Sequence, residues 1–311
     1  MGGRAKTPLA AYVAARLRDM GERPAILSRG YGRRDPVDGV VVVRDPDGIR
    51  ADLDRAGDEP LMLARQLDGV AVLVCPDRYL AGRLAEHHFA STVHVLDDGF
   101  QHFALRRDAD IVIVAAEDLP PEGGSRTSGS RASEGDARTG RHPKTLPSGR
   151  LREPVDALEA ADAVILLGDA GIAAPQRPAW RARRSLQAVR AAEPSQLPPA
   201  PGAGPVLALA GIAEPDGFFA DLRAAGWAIA RELRFRDHHR YSREDVAAIA
   251  SAAAQSGARA VLTTEKDLVR LLPFRPFSLP VAFAPLALRI DEAATFDAWL
   301  RERVAAARLA S

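Results

Sequence analysis

Short apolar runs alternate with helical patterns along the first half of the chain. The runs are continuous rather than alternating, which is typical of strands buried on both faces of a parallel sheet. They predict strands at Ala25–Leu27, Gly69–Cys75, Thr92–Leu96 and Asp110–Ala116. Helical periodicity between them predicts helices at Thr7–Met20, Glu59–Leu67 and Asp77–Phe89. Such strand–helix repetition specifies an α/β doubly wound fold with a mainly parallel sheet.

The second half of the chain predicts a smaller α/β domain. After a strand at Ala163–Leu167, strands are expected at Val206–Gly211, Trp227–Phe235 and Ala260–Thr263, with Lys266 in the turn that follows. Helices are expected at Pro215–Gly226 and Ser242–Gln255, where Ser242 and Asp245 form a capping box. We therefore predict a catalytic domain at 1–157 and a smaller domain at 158–290. A final helix within 291–311 is expected to pack back on the first domain.

Residues 120–147 interrupt this pattern. The stretch is composed mostly of Gly, Ser, Arg, Thr and Pro, with few large apolar residues. Such a composition cannot bury enough surface to offset the entropy of ordering. We predict a disordered surface insertion here.

Composition and charge narrow the classes of function. The 311 residues are 47% hydrophobic with a formal net charge of +1. The net charge therefore gives no electrostatic reason to expect nucleic-acid binding. No apolar run reaches about 20 residues, so we expect a chain that does not cross a membrane but could rest on one. Cys75 is the single cysteine and lies in a predicted strand, which excludes a disulfide framework and favours a core role.

The segment Gly2–Thr7 has the sequence GGRAKT and opens the first predicted helix. In a phosphate-binding loop, small residues let backbone N–H groups approach phosphate, a Lys reaches the terminal phosphates, and a Thr hydroxyl ligates Mg²⁺. Ala5 stands where such a loop normally has glycine. A frayed terminus with an ordinary Lys6 is the alternative.

Paired acids follow the strand at Thr92–Leu96. Asp97 and Asp98 begin the run DDGFQH, at the edge of a parallel sheet where carboxylates can hold Mg²⁺ opposite a phosphate loop. A simple Asp-Gly turn is the alternative, but the run of polar residues exceeds what a turn needs.

Two further segments carry candidate chemistry. Asp58 and Glu59 begin a helix, where they either cap it or direct a carboxylate that activates a hydroxyl. His238 and His239 follow Asp237, and a carboxylate beside a His can fix its tautomer for proton transfer. No Cys or spaced third His supports zinc. The run TTEKD at 263–267 suits phosphate contact or a solvated turn equally.

Taken together, these segments resemble the tetraacyldisaccharide 4'-kinase family of lipid A biosynthesis. The similar stretches occur in the family's order and cover most of the chain outside the two Pro/Gly-rich stretches. They are GGRAKTP, ILSRGYGRR, GDEPLMLARQL, VLDDGFQHFALRRDADIVIV, LPSGRLREP, LALAGIAEPDGFF, FRDHHRYS and VLTTEKDLVRL.

The resemblance implies a P-loop-type kinase that moves the γ-phosphoryl of ATP to the 4'-hydroxyl of a tetraacyldisaccharide 1-phosphate, giving lipid IVA. It implies that Asp58 is the base and that His238 raises the competence of Asp58. It places the enzyme peripherally on the cytoplasmic face of the bacterial inner membrane, with a lipid-linked disaccharide as its partner.

The same resemblance implies the remaining site residues. The nucleotide would be held by Gly2, Gly3, Lys6, Thr7, Gln101 and His102. The ligands of Mg²⁺ would be Thr7, Asp97, Asp98 and Glu153. Contacts to the substrate would come from Arg29 and Tyr31.

The sequence departs from the family at its start. The family has a strand and an apolar helix upstream of the loop, so we expect an N-terminally shortened member. Two alternatives to a lipid-sugar kinase stay open: a P-loop NTPase acting on a protein partner, and a degenerate pseudokinase with weakened ATP binding.

Overall fold

The computed structural model describes residues 5–115, 119, 155–168, 177–193 and 199–310. Gly2, Gly3, Glu153 and the predicted insertion at 120–147 lie outside the described residues. The helices are α1 (Lys6–Asp19), α2 (Leu53–Ala56), α3 (Asp58–Gln66), α4 (Arg78–Phe89), α5 (Pro215–Ala224), α6 (Arg243–Gln255), α7 (Glu265–Leu271) and α8 (Ala293–Leu309). The strands are β1 (Pro24–Ser28), β2 (Val41–Asp45), β3 (Gly48–Ile49), β4 (Ala71–Val74), β5 (Val93–Leu96), β6 (Ile111–Ala115), β7 (Ala163–Leu167), β8 (Ala179–Leu186), β9 (Arg190–Ala191), β10 (Val206–Ala210), β11 (Ile229–Arg234), β12 (Ala260–Thr264), β13 (Val281–Ala284) and β14 (Leu286–Ile290).

Contacts divide the chain into two compact units. The large unit comprises Ala10–Asp97 and Ser185–Ala287. The small unit comprises Met1–Leu9, Asp98–Arg184 and Leu288–Ser311. Strands β6 and β7 belong to one sheet and lie on either side of residue 157 in sequence. The domain boundaries expected at 157 and 290 stay a prediction.

The first sheet of the large unit has the order β3-β2-β4-β1-β5. Strand β1 lies parallel to both β4 and β5, whereas β2 pairs antiparallel with β4. Successive residues of β1 point to opposite faces: Ile26 packs with Leu63 of α3, and Leu27 packs with Ala81 of α4. Helices on both faces of a mostly parallel sheet confirm the predicted doubly wound arrangement.

The second sheet of the large unit has the order β11-β10-β12-β13-β9 and is parallel except at β9. On one face, Phe219 of α5 packs with Val206 and Ala208. On the other face, Ile249 of α6 and Leu268 of α7 pack against β10 and β12. The predicted capping box at the start of α6 is confirmed, because the Ser242 and Asp245 side chains each accept the other's backbone N–H.

The third sheet has the order β14-β8-β7-β6, with β6, β7 and β8 parallel. In the small unit, the Trp180 ring packs edge-on against Phe296 of α8, with centroids 5.2 Å apart. The Trp180 indole N–H donates to the Thr295 hydroxyl at 2.8 Å, so its polar edge is satisfied.

The prediction that Lys266 lies in a turn was wrong. Lys266 is in the first turn of α7, whose N-cap Thr264 accepts a hydrogen bond from the Asp267 backbone at 3.1 Å. The solvated-turn alternative also fails, since Thr263 and Asp267 are fully buried. The elements not predicted from the sequence are β2, β3, α2, β8, β9, β13 and β14.

Candidate active site

The turn after β1 carries the two predicted substrate residues. Gly30 has φ +72°, and a Cβ on it would lie 2.2 Å from the Val74 side chain, so only glycine fits. This turn leaves Arg29 exposed and Tyr31 76% exposed. Exposed aromatic and cationic side chains at the end of a buried parallel strand are placed to meet a ligand.

Asp58 begins α3 and is buried, with 8% of its surface exposed. The turn before it depends on Gly57, whose φ is +85° and whose position faces the Tyr31 carbonyl oxygen. A carboxylate at a helix N-terminus is stabilised by the helix dipole. The Asp58 Oδ1 atom accepts a hydrogen bond from the Glu59 backbone N–H at 3.0 Å.

The other oxygen of Asp58 is surrounded by donors. Oδ2 lies 2.9 Å from His238 Nδ1, 2.9 Å from Arg270 Nε and 2.6 Å from Arg270 Nη2. Burial by itself would raise the pKa of the Asp58 carboxyl. The hydrogen bond from His238 and the positive charges of Arg270 and Lys266 outweigh burial and hold the pKa well below its usual range. Asp58 is therefore ionised at neutral pH.

His238 is the histidine that meets this carboxylate. Because an ionised carboxylate only accepts hydrogen bonds, the His238 Nδ1 atom carries a proton and donates it to Asp58 Oδ2. His238 has φ +55°, and its backbone N–H donates to the Asp237 side chain at 3.0 Å. Its ring also lies edge-on to Tyr31, with centroids 6.0 Å apart. The large unit thus brings together the two predicted catalytic residues and one predicted substrate residue.

His239 has a different role from its neighbour. Its Nε2 atom lies 3.0 Å from Asp245 Oδ2, the carboxylate oxygen that also caps α6. Its ring packs on Phe235 and Tyr241. Of the adjacent pair, His239 supports local structure and His238 faces Asp58.

The contacts of three cations around Asp58 and Tyr31 were not predicted from the sequence. Arg270 contacts Asp58 directly, Lys266 pairs with Glu59 at 2.7 Å, and Arg240 donates to both the Gly32 carbonyl and the Asp54 carboxylate. Thr264 and Asp267 repeat the capping pattern that was recognised at Ser242 and Asp245. That signal could have revealed α7, the helix that carries Lys266 and Arg270, although a capping pattern does not show which way their side chains point.

In the small unit, Lys6 begins α1 and forms an ion pair with Asp98. The preceding residue, Ala5, adopts φ +63°, and its carbonyl accepts the Leu9 N–H at 2.9 Å. The loop position predicted to favour glycine therefore has the left-handed backbone that glycine adopts without strain. Thr7 is nearly buried in the first turn of the helix.

The acidic pair follows β5 as predicted. Asp97 is buried, and its backbone N–H donates to the Leu27 carbonyl of β1 at 3.1 Å. Asp98 has φ +56° and turns its carboxylate to Lys6. Gln101 is exposed and His102 is partly buried, in the turn that follows Asp98.

Comparison with known proteins gives a consistent result. The family model for tetraacyldisaccharide-1-P 4'-kinase matches residues 1–305. The tetraacyldisaccharide 4'-kinase of Geobacter sulfurreducens is 36% identical over 96% of this chain and 80% of its own length. That of Methylobacterium nodulans is 38% identical over 98% of this chain and 81% of its own length.

A solved structure agrees. The crystal structure of apo-form LpxK from Aquifex aeolicus in complex with ATP has a TM-score of 0.74 and 26% identity, over 98% of this chain and 85% of that chain. These matches confirm the family that the motifs indicated. The chain belongs to the tetraacyldisaccharide-1-P 4'-kinase family.

Proposed function

We propose that this protein is an ATP-dependent kinase that phosphorylates the 4'-hydroxyl of a tetraacyldisaccharide 1-phosphate to form lipid IVA. The observation that carries the proposal is the partly buried contact between Asp58 and His238, 180 residues apart in sequence. Activation of a sugar hydroxyl needs a positioned general base, and a carboxylate held by a histidine beside an exposed tyrosine provides one. The reaction itself is proposed from the family to which the chain belongs.

Asp58 is proposed to receive the acceptor hydroxyl at Oδ1. A carboxylate has about four acceptor positions, and Oδ2 already accepts from His238 and twice from Arg270. Oδ1 accepts the Glu59 N–H and retains a second lone pair. Phosphoryl transfer requires positioning more than a strong base, so an Asp with a low pKa can orient the hydroxyl and take its proton late. That proton then leaves Oδ1 for solvent when the product departs, while the His238 Nδ1–H keeps Oδ2 hydrogen-bonded and the carboxylate oriented.

The nucleotide is proposed to lie on the loop that opens α1. Lys6 would contact the terminal phosphates, the Gly2 and Gly3 backbone would line the loop, and Gln101 and His102 would border the nucleotide. Lys6 and Asp98 are both partly exposed, at 28% and 49% of their side-chain surfaces, so their ion pair can open at small energetic cost.

Mg²⁺ is proposed to be held by Thr7, Asp97, Asp98 and Glu153. Hydroxyl and carboxylate oxygens are the donors that Mg²⁺ prefers, and one or two carboxylates plus phosphate oxygens are its usual protein setting. Among the residues that the structure describes, no group of three or more His, Cys, Asp or Glu is arranged around a metal. The Asp98 carboxylate contacts Lys6 at the start of α1, and a carboxylate there fits a nucleotide-borne ion, which would neutralise charge on the transferring phosphoryl group.

The acceptor is proposed to approach from the inner-membrane surface on its cytoplasmic face, because its acyl chains require an apolar phase. Arg29 and Tyr31 would contact the sugar or its phosphate. None of the helices in the described ranges is both long enough and apolar enough to cross a bilayer.

The test measures transfer of labelled γ-phosphate from Mg-ATP to the tetraacyldisaccharide 1-phosphate in mixed micelles. Asp58→Asn and His238→Gln should each lower kcat by about 10² to 10⁴, the usual contribution of a general base, and should leave ATP affinity unchanged. Lys6→Ala should instead weaken ATP binding and turnover together, since it removes a phosphate ligand.

The outcomes separate the alternatives. ATP hydrolysis without lipid phosphorylation would favour an NTPase with a protein partner. Absence of Mg-ATP binding in calorimetry would favour a pseudokinase. Near-native turnover by either dyad variant would refute the catalytic assignment of Asp58 and His238.

A further inference from the structure

Arg270 lies between two buried carboxylates, behind the Asp58–His238 pair. Its residue surface is 3% exposed, and its guanidinium gives Nε and Nη2 to Asp58 Oδ2. Its remaining nitrogen, Nη1, donates to Asp267 Oδ1 at 3.1 Å and to the Gly211 carbonyl at 2.9 Å. One guanidinium on α7 therefore links the start of α3 to Asp267 of the same helix and to the loop after β10.

Asp267 is fully buried and is fixed by several donors besides Arg270. Its Oδ2 atom accepts from the Gly211 backbone N–H at 3.0 Å and from the Thr264 hydroxyl at 2.6 Å. Its Oδ1 atom accepts from the Tyr241 hydroxyl at 2.9 Å. A Cβ at Gly211 would lie 2.8 Å from Asp267, so the loop fits closely around this carboxylate. The acid that holds Arg270 is thus itself rigidly placed.

Several charged groups face Asp58 from the elements packed around it. His238 and Arg270 contact it, and Lys266 lies near enough to stabilise its charge while pairing with Glu59. Arg33 approaches the adjacent Gly57 position with its side-chain carbons. Of these cations, Arg270 is the most deeply buried and contacts the reacting carboxylate directly, so its charge is the least screened.

We propose that Arg270 is a positioning residue of the kinase: it keeps Asp58 ionised, occupies Oδ2 and so leaves Oδ1 for the acceptor hydroxyl. The predicted effect on kcat rests on the proposed function. The predicted effect on the ionisation of Asp58 concerns the folded protein alone and does not depend on that function. A guanidinium suits the position because its planar fork reaches both carboxylates at once. A lysine ammonium at this site would keep the positive charge but could not contact Asp58 and Asp267 at the same time.

The test compares Arg270→Gln, Arg270→Lys and wild type in the pH profile of kcat and in a ¹³C NMR titration of the Asp58 side-chain carboxyl. Removing a neighbouring cation raises the pKa of a carboxyl group. Arg270→Gln should therefore move the Asp58 titration and the acidic limb of the kcat profile upward by about one pH unit or more. Arg270→Lys should leave the Asp58 titration and the acidic limb within about half a pH unit of wild type, because the positive charge is kept. It should lower kcat about tenfold, because an ammonium cannot hold the Asp58 carboxylate in the same orientation.

Arg44→Gln is the matched control. Arg44 is another largely buried arginine, on β2, where it donates to the Ala64 carbonyl of α3 and pairs with Asp68. This control should lower thermal stability and leave the acidic limb in place. If Arg270→Gln does not fold, Arg270→Gln combined with Asp267→Asn removes both charges of the bridge. The pKa of Asp58 should still rise, because the lost Arg270 charge contacts Asp58 Oδ2 directly, whereas Asp267 contacts only the Nη1 nitrogen of that guanidinium.

An Asp58 titration unmoved in folded Arg270→Gln would overturn the proposal and leave Arg270 a purely structural residue. If the Asp58 titration moves in Arg270→Gln but the wild-type protein phosphorylates no lipid, the electrostatic role of Arg270 stands and the proposed function is refuted. The two failures are therefore distinguishable.

Discussion

Relieving the backbone strain at Ala5 is expected to tighten nucleotide binding. Its φ of +63° lies in the left-handed region, and its carbonyl accepts the hydrogen bond that begins α1. A Cβ in this conformation costs about 1–2 kcal/mol. Glycine removes that cost but adds about 0.4–1 kcal/mol of unfolded-state entropy. Ala5→Gly should therefore stabilise the loop by about 0.5–1 kcal/mol, which corresponds to about two- to fivefold in Mg-ATP affinity.

Ala90 supplies a matched control for this change. It also has a left-handed backbone, φ +50°, at the C-cap of α4, where glycine is favoured. Isothermal titration with Mg-ATP and thermal unfolding should be measured for Ala5→Gly, Ala90→Gly and wild type. Both variants should raise the unfolding temperature, and Ala5→Gly should tighten ATP binding while Ala90→Gly should not. Equal ATP affinity in all three proteins would refute the placement of the phosphate site at this loop.

Two further predictions concern the large unit. Because the folded-state pKa of Asp58 is depressed, its charge contributes stability that is present above about pH 4 and is lost as the pH falls. Wild type should therefore lose free energy of unfolding between about pH 4 and 2 more steeply than Asp58→Asn in urea titrations; parallel curves would contradict the depressed pKa. Arg240→Ala removes the bonds to Asp54 and to the Gly32 carbonyl that hold the turn bearing Tyr31. It should raise the KM for the acceptor several-fold without changing the KM for ATP, and an unchanged acceptor KM would separate this turn from substrate binding.

The local sequence determined much of this protein. Apolar runs predicted β1, β4, β5, β6, β7, β10 and β12. The rule is clearest for β4 and β10, because strands buried on both faces are apolar throughout. The Ser242–Asp245 pattern predicted the start of α6, because capping is settled within four residues. Sequence motifs also indicated the kinase family, which the family model and the relatives confirm.

The tertiary structure alone decided how the site is assembled. Asp58 and His238 were both chosen from the sequence, but their 2.9 Å contact depends on packing α3 near the loop after β11. Arg270 was missed because its role comes from burial between Asp58 and Asp267, and burial of a polar residue has no local signature in sequence. Ala5 stood out as a departure from glycine, and only the backbone showed the positive φ that explains why glycine is favoured there. Short-range patterns fix elements and caps, whereas the charge state of a buried carboxylate depends on which distant side chains the fold places around it.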